Sequence, residues 1–329
     1  GHDGSGYRSS LNSYDKSLTM ATGTSLSAQR QNLAGASNRN YALFAGGYSG
    51  TYSAVVDAYN ASLSRSTPTA LSQARHKMAA ATLGDNVVFA GGGNSYSVYD
   101  AVDVYNGSLT KSNPDALSKK RRELAGGQVG NHVLFAGGHD GSSASGTSTV
   151  DAYDSSFTRT TPTALSTTRR NPAGVSVGDR VLFAGGFGST YLTTVDAYDA
   201  SLTRTTITEL SQKRELAVGV TLGDYAIIAG GTNGSNLACN NVDVNNKMFI
   251  IIFDNYCISS ETVKHSPDKM IGKADFHLLL FSAEHSENGF CIGGHINLFK
   301  FVYSVTFGVG HRNFIHFVNT VVFHFFCFG

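Results

Sequence analysis

Five arginines, Arg30, Arg75, Arg121, Arg169 and Arg214, follow one another at intervals of 45, 46, 48 and 45 residues, and two of them, Arg75 and Arg169, close the stretch Thr-Pro-Thr-Ala-Leu-Ser-x-x-Arg. A guanidinium presents a planar fork of donors matched to a carboxylate. Five such forks on one beat, circling a common axis, would suit a face that grips an acidic ligand. The same chemistry has an internal use, because Asp57, Asp103, Asp151 and Asp196 recur on the same beat. An element present in every copy of a repeat first serves the copy, so pairing of arginine with aspartate inside each unit is the favoured expectation.

Other reactive residue types carry less. Cys291 and His295, and His324 and Cys327, have spacings that zinc sites use, but no close Cys-x-x-Cys pair accompanies them, so no metal is expected. There is no Gly-x-Ser-x-Gly, no His-Glu-x-x-His and no phosphate-cradling loop, which leaves no catalytic residue to nominate and no cofactor to expect. Asn60, Asn106 and Asn233 open glycosylation-type triplets. The first two stand where other units have Asp154 and Asp199, so a turn role explains them. Lys119 to Arg122 form a basic run that reads as a solvated loop.

The elements that must position these residues are legible from a second landmark. An apolar run ends on a glycine pair at Gly46 and Gly47, Gly91 and Gly92, Gly137 and Gly138, Gly185 and Gly186, and Gly230 and Gly231; Val-Leu-Phe-Ala-Gly-Gly is repeated letter for letter at 133–138 and 181–186. A third landmark, Val-Asp-Ala-Tyr or a close variant, ends on Tyr59, Tyr105, Tyr153 and Tyr198. Three landmarks sharing one period of about 45 residues signal a propeller or solenoid. Within a unit, a small-residue strand after the arginine turns at Gly-Asp or Gly-Asn into the run that is apolar on both faces. The Val-Asp-Ala-Tyr strand and a Thr- and Ser-rich outer segment follow, giving four antiparallel strands and no helical period.

With these motifs in hand, residues 1–247 resemble the kelch family of β-propellers. One departure is plain: the chain has no tryptophan, and Thr or Ser fills the region where kelch units carry one after the tyrosine. A smaller packing rule must replace that indole. The resemblance implies an all-β propeller of about five four-stranded blades, either a ring closed by two complementary half-units or an open arc of a larger parent. It also implies that the arginine face and the loops after the glycine pairs bind partners. Those loops differ between units, with Tyr48, Tyr52, Asn94, Tyr96, His139, Tyr191 and Asn233 as candidate contacts. A protein or peptide partner is the first expectation. The alternatives are a carbohydrate-active or carbohydrate-binding propeller, as in sialic acid mutarotases, and a non-functional truncated product. Copper galactose oxidases need a tyrosine crosslinked to cysteine, and Cys239 is the only cysteine within the repeats, which argues against that chemistry.

Composition sets the remaining bounds. With 25 basic and 24 acidic residues the formal charge is +1, so nothing favours nucleic acid or a membrane surface. The repeat stops near residue 247. Fourteen of 20 Phe and seven of 11 His lie in 248–329, a tail read as irregular, disordered or frame-shifted, whose apolar runs are shorter than a bilayer span. The chain opens on Gly1, which resembles the second glycine of a pair and reads as the start of a fragment; no compartment is assigned.

Overall fold

The computed structural model describes residues 1, 4–142, 146–234, 242–246, 298–308 and 314–324. Two compact units, Gly1–Thr262 and Val263–Gly329, divide the chain. The first is an all-β propeller. It opens with a two-stranded pair, β1 (Asn12–Tyr14) and β2 (Met20–Thr22). Blade one follows as β3 (Ala34–Ser37), β4 (Tyr41–Ala45), β5 (Val56–Asn60) and β6 (Arg65–Ser66). Blade two is β7 (Ala79–Leu83), β8 (Asn86–Ala90), β9 (Val102–Tyr105) and β10 (Lys111–Ser112). Blade three is β11 (Ala125–Val129), β12 (His132–Ala136), β13 (Val150–Tyr153) and β14 (Arg159–Thr160). Blade four is β15 (Ala173–Val177), β16 (Arg180–Ala184), β17 (Val195–Asp199) and β18 (Arg204–Ile207). Blade five has β19 (Val218–Leu222), β20 (Tyr225–Ala229) and β21 (Val242–Asn246). Every blade is an antiparallel meander in chain order.

Each strand's sequence follows from its place. The first strand of every blade lies innermost, where neighbouring blades converge, and small residues are required. A Cβ at Gly219 would stand 2.9 Å from the Gly174 carbonyl oxygen of the blade before. The five inner strands line a central cavity of about 490 Å3 whose walls include Ala80, Gly126, Gly174 and Gly219. The second strand is sandwiched, which is why Val-Leu-Phe-Ala is apolar on both faces. Val133 and Phe135 pack with Tyr153 against Val88, Ala90, Val102 and Val104 of blade two, whereas Leu134 and Ala136 pack toward Val181 and Phe183 of blade four. Burying a side chain of this size contributes about 1.5–3 kcal/mol.

The outer segment is shorter than its sequence suggests. Only two residues of Arg-Ser-Thr-Pro-Thr-Ala-Leu-Ser, Arg65 and Ser66, form a strand in blade one; the rest crosses to the next blade. In that crossing Leu71, Leu117, Leu165 and Leu210 are 4–5% exposed. These leucines and an edge-to-face pair of phenylalanine and tyrosine in each of the first four blades, such as Phe89 and Tyr105 at 6.0 Å, fill the space without an indole. The tyrosine hydroxyl then ties the blade to the crossing that precedes it: Tyr105 Oη donates to the Thr69 carbonyl at 2.7 Å.

Among the described residues the two half-units do not complete one another. β1 and β2 remain a separate sheet, and β21 occupies the third place in blade five. The outward face of blade five is bare as a result. Val218, Val220, Leu222, Val242 and Val244 are 52–67% exposed, whereas their counterparts in blade four, Ala173, Val175, Val177, Val195 and Ala197, are 0–6% exposed under the next blade. Among the described residues the propeller is therefore an open arc. Gly1 fills the place its sequence suggests: its amino group donates to the Arg30 carbonyl at 2.7 Å, as the amides of Gly47, Gly92, Gly138 and Gly186 donate to Arg75, Arg121, Arg169 and Arg214.

In the second unit, β22 (Leu298–Gly308) pairs antiparallel with β23 (Phe314–His324), with Tyr303 opposite Asn319. Both strands fall within the Phe- and His-rich segment 248–329, outside the repeat. Cys291, His295, Cys327 and Cys239 lie outside the described residues.

Candidate functional site

Four-stranded meanders place the arginines and the loops after the glycine pairs at the same end of the arc, since a second-to-third strand loop and a blade-to-blade crossing exit the same way. The five arginines, however, are not on its surface. Each is 0–1% exposed. Arg30 pairs with Asp57 at 2.6 Å, Arg75 with Asp103 at 2.8 Å, Arg121 with Asp151 at 2.7 Å, Arg169 with Asp196, and Arg214 with Asp243. A backbone amide three residues before each arginine joins the same carboxylate, as Ser72 N does at 3.1 Å to Asp103 Oδ1. Burial opposes ionisation of Asp103, but Arg75, Asn113 and Ser72 outweigh it and hold the carboxyl below its ordinary value. The fork recognises an acid, and that acid belongs to the chain. This corrects the reading of Arg30, Arg75, Arg121, Arg169 and Arg214 as partner-gripping groups.

The glycine pairs make this arrangement possible. All ten glycines have φ between 61° and 114°. A Cβ at Gly92, whose φ is 95°, would stand 2.8 Å from the His76 carbonyl oxygen, closer than real carbons approach. Beyond the second glycine the chain bridges to the residue that follows the buried arginine: Tyr48 to Gln31, Gly93 to His76, His139 to Arg122, Phe187 to Arg170 and Thr232 to Glu215. The loop candidates are thereby held beside Gln31, His76, Arg122, Arg170 and Glu215, of which the sequence alone drew attention only to Arg122, as part of a basic run. Their signal was available, because the position after an invariant arginine is where the copies stop agreeing.

One aromatic cluster results. The ring of Tyr48 lies 5.0 Å from Tyr52 and 6.0 Å from Tyr7, and Tyr52 lies 5.1 Å from His76 of the next blade. Tyr52 Oη also hydrogen-bonds Ser95 Oγ in the second loop. Burial, with Lys77 and Arg122 nearby, lowers the His76 pKa to about 4, so its imidazole is neutral near pH 7. Further round, Tyr191 stacks edge-on to Phe187 at 5.0 Å, and Arg170 lies over the Phe187 ring at 4.9 Å.

The other loop candidates differ in their surroundings. The Asn94 side-chain oxygen accepts the amides of Tyr96 and Ser97 at 2.8 Å, and its Nδ2 donates to Tyr99 Oη at 2.6 Å, so Asn94 shapes its own loop. His139 Nδ1 accepts the Gly141 amide at 3.0 Å. Tyr96 is 94% exposed, and Asn233 is half-buried in the fifth loop. Asn60 Oδ1 accepts the amides of Ser62 and Ser64, as Asp154 Oδ1 does for Ser156 and Thr158, consistent with the turn role.

Nearer the axis is a second ring that the sequence reading missed. Asn32, Lys77, Glu123, Asn171 and Leu216, two residues past each arginine, have φ between 49° and 60°. The amide of each of the last four donates to the carbonyl of the one before at 2.8–3.2 Å, linking neighbouring blades. Lys77 Nζ lies 2.6 Å from Glu123 Oε1, and Asn171 donates to Glu215 at 2.8 Å. Left-handed backbone at five non-glycine residues is sterically costly and stands only where surrounding bonds enforce it. Among the described residues no group of three His, Cys, Asp or Glu side chains could hold a metal.

No family model matches the chain, and no curated protein matches it. Among solved structures the chain is similar to YjhT, with a TM-score of 0.58 and 13% identity over 74% of this chain and 99% of that one. At that identity the likeness shows the propeller fold alone.

Proposed function

We propose that the protein is a kelch-type propeller acting as an interaction module, which takes a protein or peptide segment on the loop end. The observation that supports this reading is the Tyr7, Tyr48, Tyr52 and His76 cluster, in which aromatic rings from the segment before β1, from blade one and from the entry to blade two stand together beside loops that vary from blade to blade. Aromatic anchors of this kind dominate binding energy at interfaces because they bury large area with few rotors. A neutral imidazole adds a hydrogen-bonding edge without the desolvation cost of a charge. Arg122 and Arg170, in the next two crossings, provide cations for acidic groups of the same segment.

Affinity capture from a peptide display library, comparing the native chain with Tyr48→Ala and Tyr52→Ala, tests the proposal. Enriched peptides whose binding falls about tenfold or more in either variant support it. Equal capture by all three proteins would overturn it, and saturable binding to a glycan array in place of peptides would favour the carbohydrate reading.

A further inference from the structure

The four complete blades place two cations on each buried aspartate. One is the arginine of the crossing. The other comes from the outer strand: Arg65 lies 3.5 Å from Asp57, Lys111 3.4 Å from Asp103, Arg159 3.3 Å from Asp151 and Arg204 3.4 Å from Asp196. The register that achieves this is constant, since each cation sits opposite the tyrosine two residues beyond the aspartate, as Arg204 sits opposite Tyr198.

Among the described residues blade five shows only the first half of this arrangement. Asp243 keeps Arg214 and accepts the Ser211 amide at 3.0 Å, but among the described residues no second cation reaches it. Its carboxylate is 16% exposed where the other four are 0%. Among the described residues no strand pairs with the outer edge of β21. The chain's own sequence offers no substitute at the equivalent place. Six residues past Tyr59, Tyr105, Tyr153 and Tyr198 stand Arg65, Lys111, Arg159 and Arg204, whereas six past Asn245 stands Ile251.

We propose that the outer edge of β21, with Asp243, is a second binding site that accepts an extended polypeptide segment as a fourth strand. The segment carries Arg or Lys in register with Asn245, followed by hydroxyl-bearing or β-branched residues. Backbone hydrogen bonds along the edge supply affinity, and the charge-assisted contact to Asp243 supplies register and specificity. A second copy of this chain is the poorer occupant, because its cation-bearing outer strands are already paired in their own blades and its β2 carries Met20 opposite Tyr14. The site is independent of the loop-end proposal.

The probe is a fluorescein-labelled peptide copying Ser201–Thr208, Ser-Leu-Thr-Arg-Thr-Thr-Ile-Thr, titrated with the full chain and read by anisotropy. Binding should saturate and weaken about tenfold when the peptide's arginine is replaced by alanine or when Asp243→Asn is made in the chain. Raised salt should weaken it further. Hydrogen exchange should slow at Val242–Asn246 in the complex. Absent saturation, equal binding of the two peptides, or protection confined to the loops after the glycine pairs would each overturn the proposal. Protection at those loops would instead assign the peptide to the loop end. Should Asp243→Asn fail to fold, the peptide pair and the exchange map still decide.

Discussion

Arg75 Nη2 donates to Asp103 Oδ2 at 2.8 Å with both side chains fully buried, and the pair joins the start of a blade to its own third strand 28 residues later. A buried charge left without its partner typically costs about 3–5 kcal/mol. Arg75→Ala or Asp103→Ala should each destabilise the protein by about that amount, measured by urea denaturation. The double variant Arg75→Met with Asp103→Leu should recover part of the loss, since the fully buried guanidinium and carboxylate are removed together and only the partly exposed Lys111 loses its contact. Equal losses in all three would show that packing, not charge, sets the cost.

Acid should weaken the fold in two separate windows. Unfolded histidine titrates near 6.5, whereas His76 folded titrates at about 4, so between these values the unfolded chain binds more protons. Stability therefore falls as pH drops from 6.5 toward 4 and this contribution levels off below. The depressed carboxyl of Asp103 acts lower, with its stabilisation lost as pH falls below the ordinary carboxylate range. His76→Gln should flatten the upper window in denaturation midpoints taken from pH 7 to 4, and an NMR titration should place His76 near 4.

Two glycines separate backbone strain from crowding. Gly92 has φ 95° with the His76 carbonyl in the way, and Gly50 has φ 93° with nothing within 4 Å of a Cβ. Gly50→Ala should cost only the left-handed conformation, about 1–2 kcal/mol. Gly92→Ala should cost clearly more. Matching losses in thermal melts would mean that the crossing yields easily.

The open end of the arc makes one repeat position respond in two ways. Val175 is 4% exposed under blade five, and its counterpart Val220 is 53% exposed. Val175→Ser should cost about 1.5–3 kcal/mol, and Val220→Ser should stay within about 0.5 kcal/mol. A comparable loss at Val220 would show that something covers blade five in solution.

The sequence by itself determined what each blade is. The period, the two-faced apolar strand, the glycine pairs, the turn asparagines and the pairing of arginine with aspartate are set within one unit, and recurrence marks them. Tertiary structure decided what the blades leave over. Arg75 lies under its neighbours and not on a surface because blade packing, a relation between units, closes over it. The left-handed ring at Asn32, Lys77, Glu123, Asn171 and Leu216 varies in residue type while its backbone repeats, so its letters conceal it. Val220 is exposed and Val175 is buried although both are valine at the same step. The difference is whether another blade follows, and no property of either residue's own strand encodes that.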